Sequence, residues 1–263
     1  MDYIVNNKAA WEEAFEHRRE NWGDDNYNRL VNEDLPFFCD DVAKELRMID
    51  LKGKRVAQFC CNNGRELLSM MQLGPAGGVG FDIAENILDQ ARMTAEKAGI
   101  ANSEFVQANI LEIGEEYSNQ FDLILFTIGA ITWFQDLNAL FGKVSQCLKP
   151  NGIMLIHDFH PFMNMLPMPD EEAFDENNLN KLAYPYFKNE PWIENSGMLY
   201  MTPQYESKTF TSFVHTLSDI INSAVSAGLT IKKLDEHSYD VGLTEVYDYK
   251  EYPLSYVLVA QKD

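Results

Sequence analysis

Basic residues are scarce in this chain: 21 Lys and Arg stand against 41 Asp and Glu, a net charge of −20 with histidine neutral. Such a field repels phosphate backbones and anionic lipid surfaces, so nucleic acid and membrane are not expected as partners. It leaves a solvated surface, or attraction of a cationic ligand or amine substrate. Long apolar runs are absent too, and the opening Met1-Asp-Tyr-Ile-Val-Asn-Asn has no basic stretch followed by an apolar one. A soluble, cytoplasmic protein is expected. Cysteine is rare, with only Cys39, Cys60, Cys61 and Cys147. The one close pair is vicinal and no second pair completes it, so neither a disulfide framework nor a metal site is expected. A Gly-x-Gly-x-x-Gly turn is also missing, which weighs against a nicotinamide-binding oxidoreductase.

What the chain does have is apolar runs alternating with helical periodicities. Strands are expected over 54–60, 78–82, 103–107, 121–127, 152–158, 229–236 and 254–261. Phe121-Asp-Leu-Ile-Leu-Phe126 and Ile153-Met-Leu-Ile156 are nearly continuous apolar runs, as parallel strands covered on both faces require. Ile87, Leu88, Ala91, Ala95 and Ala98 mark one helical face; Leu137, Leu140, Phe141, Val144 and Leu148 mark another. That second helix should end before a turn at Lys149-Pro-Asn-Gly152. Thr216 with Asp219 has the spacing of a capping box, and Gly228 is placed to end the helix it opens. Between 236 and 254 no helical stripe is present, so the last two strands should pair as an antiparallel hairpin. The fold class is therefore α/β, a doubly wound, seven-stranded, mostly parallel sheet with an antiparallel last strand.

Two regions fall outside this pattern. Residues 1–50 read as a helical cap carrying Trp11, Ala14, Phe15 and Arg18 on one stripe and Phe37, Phe38, Val42 and Leu46 on another. Within the main domain, 51–263, the segment 160–213 is rich in Pro, Met, Asn and aromatics and reads as a packed lid.

The stretch Lys54-Arg-Val-Ala-Gln-Phe-Cys-Cys-Asn-Asn-Gly64 is a buried strand running into a polar turn, and a second strand delivers Asp82 eighteen residues after Gly64. An open α/β sheet holds a nucleotide-type ligand in this way, with turn N–H groups facing it and the acid accepting from ribose hydroxyls. Together with Gln107-Ala-Asn-Ile110, Phe121 to Thr127, Leu148-Lys-Pro-Asn-Gly152 and Pro253 to Val259, these motifs resemble a class I S-adenosylmethionine-dependent methyltransferase of the small-molecule group. The resemblance covers 54–262. Tyr184-Pro-Tyr-Phe187 and the stretch His215 to Asn222 resemble a bacterial branch of unknown substrate.

The resemblance implies S-adenosylmethionine as cofactor, with S-adenosylhomocysteine as product, and a monomer or homodimer acting on a small molecule. Gly64 and the backbone of Cys60, Cys61, Asn62 and Asn63 would lie along the methionine part, with Gln58 standing where an acid is common. Asp82 would take the ribose, Ile83 and Ile110 the two faces of the adenine, and Asn109 its amine. Thr127 to Gly129 would floor the site. Cys60 and Asn62 replace two glycines of the family pattern; asparagine tolerates the left-handed conformation best. For a general base, His160 is the first candidate, His157 the second and His215 the third. Adjacent side chains on a strand diverge, so His157, Asp158 and His160 are not expected to bind a metal. The alternatives are a non-catalytic S-adenosylmethionine-binding regulator and, behind it, a nicotinamide enzyme.

Overall fold

In the computed structural model, which describes residues 3–248 and 250–263, the strands in chain order are β1 (Arg55–Phe59), β2 (Gly77–Asp82), β3 (Ser103–Gln107), β4 (Phe121–Phe126), β5 (Leu148–Phe159), β6 (Trp192–Glu194), β7 (Phe210–Ser212), β8 (Leu229–His237) and β9 (Ser255–Lys262). The helices are α1 (Tyr3–Glu16), α2 (Asn26–Asn32), α3 (Asp40–Met48), α4 (Arg65–Met70), α5 (Glu85–Ala98), α6 (Leu137–Cys147) and α7 (Leu217–Ser226). Seven strands form one sheet of order β3-β2-β1-β4-β5-β9-β8, and β6 with β7 forms a separate pair. β1 pairs in parallel with β2 and β4, and β9 runs antiparallel to both β5 and β8. The sheet is thus mostly parallel with a reversed last strand.

Both faces of the sheet are buried, which explains the unbroken apolar runs. Phe59, Phe81, Phe121 and Phe126 join α6 and α7 in one core, while Val56, Leu123, Leu125 and Leu155 join α3, α4 and α5 in the other. Thr216 and Asp219 close their capping box: the Thr216 hydroxyl accepts from the Asp219 N–H and the Asp219 carboxylate from the Thr216 N–H. β5 begins at Leu148 rather than near 152, because the Lys149-Pro-Asn-Gly segment is taken up as an irregular strand start, with a register shift against β4.

Two features had no periodic signal. α2 spans seven residues and buries only Asn26 and Leu30. The β6–β7 pair has three residues a side, too few for a pattern, and is held by α1: Asn7 Nδ2 donates to the Thr211 carbonyl and Asn7 Oδ1 accepts the Thr211 N–H, each at 2.8 Å. Among the described residues no helix is long and apolar enough to cross a membrane.

Candidate active site

Strand order reverses between β1, which leads outward to β2, and β4, which leads to β5. Chains leaving the carboxyl ends of neighbouring strands diverge at such a point and leave a crevice. A cavity of about 430 Å³ opens there, within the range of small-molecule sites. Its inner wall comes from strand ends and the loops after them: Cys60, Asn62 and Asn63 after β1, Asp82 and Ile83 at β2, Ala108 to Ile110 after β3, Thr127 to Ala130 after β4. Its outer wall comes from α1 (Tyr3, Asn7, Trp11), from Trp133 and Phe134, and from Trp192, Glu194 and Ser212 of the β6–β7 pair.

The turn after β1 is built from left-handed residues. Cys60, Asn62 and Gly64 have φ of 55°, 50° and 71°. Asn62 suits this conformation; at Cys60 it carries steric cost, because Cβ crowds the following carbonyl. Asp82 fixes the turn, its Oδ2 accepting the Asn62 N–H at 2.8 Å and its Oδ1 the Ala84 N–H at 3.1 Å. Burial raises the Asp82 carboxyl above the ordinary value, against the pull of these backbone bonds. The Cys60 and Cys61 thiols are pushed well up, first by burial and then by Asp82, so they stay neutral.

Not every residue singled out from the sequence reaches the cavity. Gln58 is fully buried behind it: its Oε1 accepts the Leu67 N–H at 2.9 Å and its Nε2 donates to Thr127 Oγ1 at 3.0 Å. Gln58 therefore caps the first turn of α4 and steadies Thr127. Cys61 packs toward Gly80, where an added Cβ would lie 2.8 Å from its sulfur. Gly64 lies under Phe105 and Ala91. Asn109 lines the cavity, but its Oδ1 already accepts the Leu111 N–H at 3.2 Å, which leaves the Nδ2 group to face a ligand.

None of the three candidate histidines lines the cavity, for a reason the linear sequence does not carry. His157 points to the α3 face of the sheet, Nε2 3.8 Å from Cys39 Sγ; burial, then His237, lowers it to about 4. His160 turns to β8 and lies 2.9 Å from Glu236 Oε1, while its Nδ1 accepts the Phe162 N–H. Burial still lowers its pKa. His215 Nε2 donates to the Phe134 carbonyl at 2.8 Å and is also lowered by burial. It borders a second, water-sized cavity of about 20 Å³ beside Asp158 and Asn164. Side chains the sequence reading passed over are Arg65 and Glu66, paired at 2.7 Å, together with Glu194 and Tyr200. Tyr200 lies on a segment without periodicity, and its hydroxyl accepts from Asn62 Nδ2 at 3.0 Å.

The fold is that of the S-adenosylmethionine-dependent methyltransferases. A model of the methyltransferase domain family matches residues 50–210, and the chain belongs to that family. It is 22% identical over 215 residues to an uncharacterized protein of Haemophilus influenzae, covering 76% of this chain and 78% of that one. It is 27% identical over 156 residues to a demethylmenaquinone methyltransferase of Lactococcus lactis, covering 57% of this chain and 61% of the relative. A crystal structure of an S-adenosylmethionine dependent methyltransferase from Mesorhizobium loti shares the fold, with a TM-score of 0.61 at 19% identity over 84% of this chain and 97% of that one.

Proposed function

We propose that the protein transfers a methyl group from S-adenosylmethionine to a small-molecule acceptor under a lid formed by α1 and the segment 160–213. The carrying observation is the division of one cavity into two walls, strand-end loops on one side and an aromatic outer wall on the other. The inner wall fits the cofactor. Asp82 has carboxylate lone pairs left for ribose hydroxyls, Ile83 and Ile110 would flank the base, and Asn109 would meet its edge through Nδ2. Cys60 to Asn63 would run beside the methionine part, with Arg65 near it.

When bound, S-adenosylmethionine supplies a methyl group activated by its sulfonium. The chain's own task is to hold the acceptor in line with that carbon, and orientation of this kind can lower a barrier by ~7–11 kcal/mol. Thr127 would floor the site, held from behind by Gln58. Gly129 is fixed by its N–H to Asp158 Oδ1 at 2.6 Å. The rings of Trp11 and Trp133, 5.4 Å apart and edge-to-face, would help exclude water.

Calorimetric titration with S-adenosylmethionine, S-adenosylhomocysteine and NAD tests the reading. Binding of the two sulfur ligands without NAD is expected, and silence toward both would overturn it. Asp82→Ala is expected to weaken S-adenosylmethionine at least about tenfold, since a hydrogen bond to a charged acceptor contributes roughly 1.5–3 kcal/mol. Unchanged affinity in a folded variant would remove the ribose assignment.

A further inference from the structure

We infer that the acceptor carries a cationic amine, which Glu194 binds at the aromatic outer wall; the inference rests on the methyl-transfer reading above. Three observations support it.

The charged residues lining the cavity are unevenly divided. Arg65, Glu66 and Asp82 all lie on the inner wall, where the cofactor would sit. Among the described residues lining the outer wall, Glu194 alone is charged. Among the described residues, no hydrogen bond or ion pair ties down its carboxylate. Partial burial, then the nearby acids Glu171 and Asp170, raises its carboxyl above the ordinary value. Glu194 keeps access to solvent, and the acids around it concentrate negative charge that a bound cation would neutralise.

Strand geometry aims the group inward. Alternation along β6 puts Trp192 and Glu194 on the cavity face and turns Ile193 outward, 69% exposed. Glu194 stands directly across from Phe210 in the β6–β7 register. The Phe210 ring lies 5.5 Å from Trp11 and 6.1 Å from Trp133. Glu194 therefore shares a face with Phe210, which backs Trp11 and Trp133, and those two cavity-lining rings can attract a cation. Lys188 Nζ already lies 4.5 Å from the Trp192 ring, although Lys188 does not line the cavity.

The chemistry of the wall also excludes the other charge types. Among the described residues no cation lines it, so an anionic acceptor would be repelled by Glu194 and left unpaired. A neutral acceptor would cover the carboxylate without a counter-charge. The net charge of −20 favours the approach of a cation as well.

The test uses the full chain saturated with S-adenosylhomocysteine and three probes that share a phenethyl group: phenethylamine, phenethyl alcohol and hydrocinnamate. Calorimetry is expected to show the amine binding at least about tenfold tighter than the alcohol, with the anion silent. Glu194→Gln should erase the preference, with S-adenosylhomocysteine affinity serving as the control for folding. Equal or better binding of the alcohol or the anion, no amine binding at millimolar concentration, or an intact preference in the variant would each overturn the inference alone. A protein silent to S-adenosylhomocysteine would overturn the methyl-transfer reading, and this inference with it.

Discussion

Asp158→Asn is expected to make the protein more stable at pH 8 relative to the wild type than at pH 4, by roughly 4 kcal/mol, from a shift of about three units at 1.36 kcal/mol each. Asp158 is 1% exposed at the end of β5; its Oδ1 accepts the Gly129 and Phe159 N–H groups, and its Oδ2 has no partner. Burial outweighs those backbone bonds and lifts its pKa from 3.8 to about 7. The sign follows from linkage. Below the unfolded value both states hold the proton, and the neutral carboxyl costs nothing extra. Between 3.8 and about 7 only the folded state keeps it, so each step up in pH removes stability. Above that window the penalty is constant.

Asparagine cannot ionise and escapes the loss. It places an unpartnered amide where Oδ2 was, at a pH-independent cost of about 1–3 kcal/mol. The difference between the two pH values is therefore the clean readout. Tyr256, facing Asp158 across the β5–β9 register, and His215, across the small cavity, are common to both proteins. Urea unfolding of both proteins at the two pH values measures the change. Parallel stability–pH curves would show that Asp158 is ionised at no cost.

Gly64→Ala is expected to destabilise the fold by about 2–5 kcal/mol, combining left-handed strain with overpacking. At φ 71° an added Cβ would overlap the Phe105 ring and come within 2.9 Å of Ala91 Cβ. Phe105 is 6% exposed and enclosed, so its ring has no free direction in which to move. Gly99 supplies the control, because it has the same φ of 71° with nothing within 4 Å of an added Cβ. Gly99→Ala should cost only the strain, about 1–2 kcal/mol. Denaturant midpoints of the two variants separate the contributions, and equal losses would show that contact at Gly64 adds nothing. Gly64→Ala should also weaken S-adenosylmethionine, since relief of the clash moves the turn that lines the cavity.

These residues also show where sequence reading succeeds. Asp82 was legible because a short apolar run fixed the strand and the acid had to fall at its end. The left-handed turn at Asn62 was legible because few residues accept that conformation. The Thr216–Asp219 cap follows from a local spacing. Each is decided within a few residues of chain, where sterics and short-range hydrogen bonds dominate. The left-handed Cys60 was signalled only by its standing in for a glycine.

The histidines and Glu194 belong to the other category. His160 stands at the carboxyl edge in sequence, yet the β5–β9–β8 register brings Glu236 to it and turns it away from the cavity. Glu194 sits in a three-residue strand with no pattern to read, and its position depends on pairing with β7 and on the Asn7 bonds from α1, about two hundred residues away. The sequence by itself determined the alternation of strands and helices, the mostly parallel sheet and the strand-end positions of Asn62, Asp82 and Thr127, because periodicity and backbone conformation are local. Only the tertiary structure decided which groups face the cavity from the outer wall and which acid is left without a cation. Those outcomes depend on strand register and on packing between distant segments, and neither leaves a periodic trace in the chain.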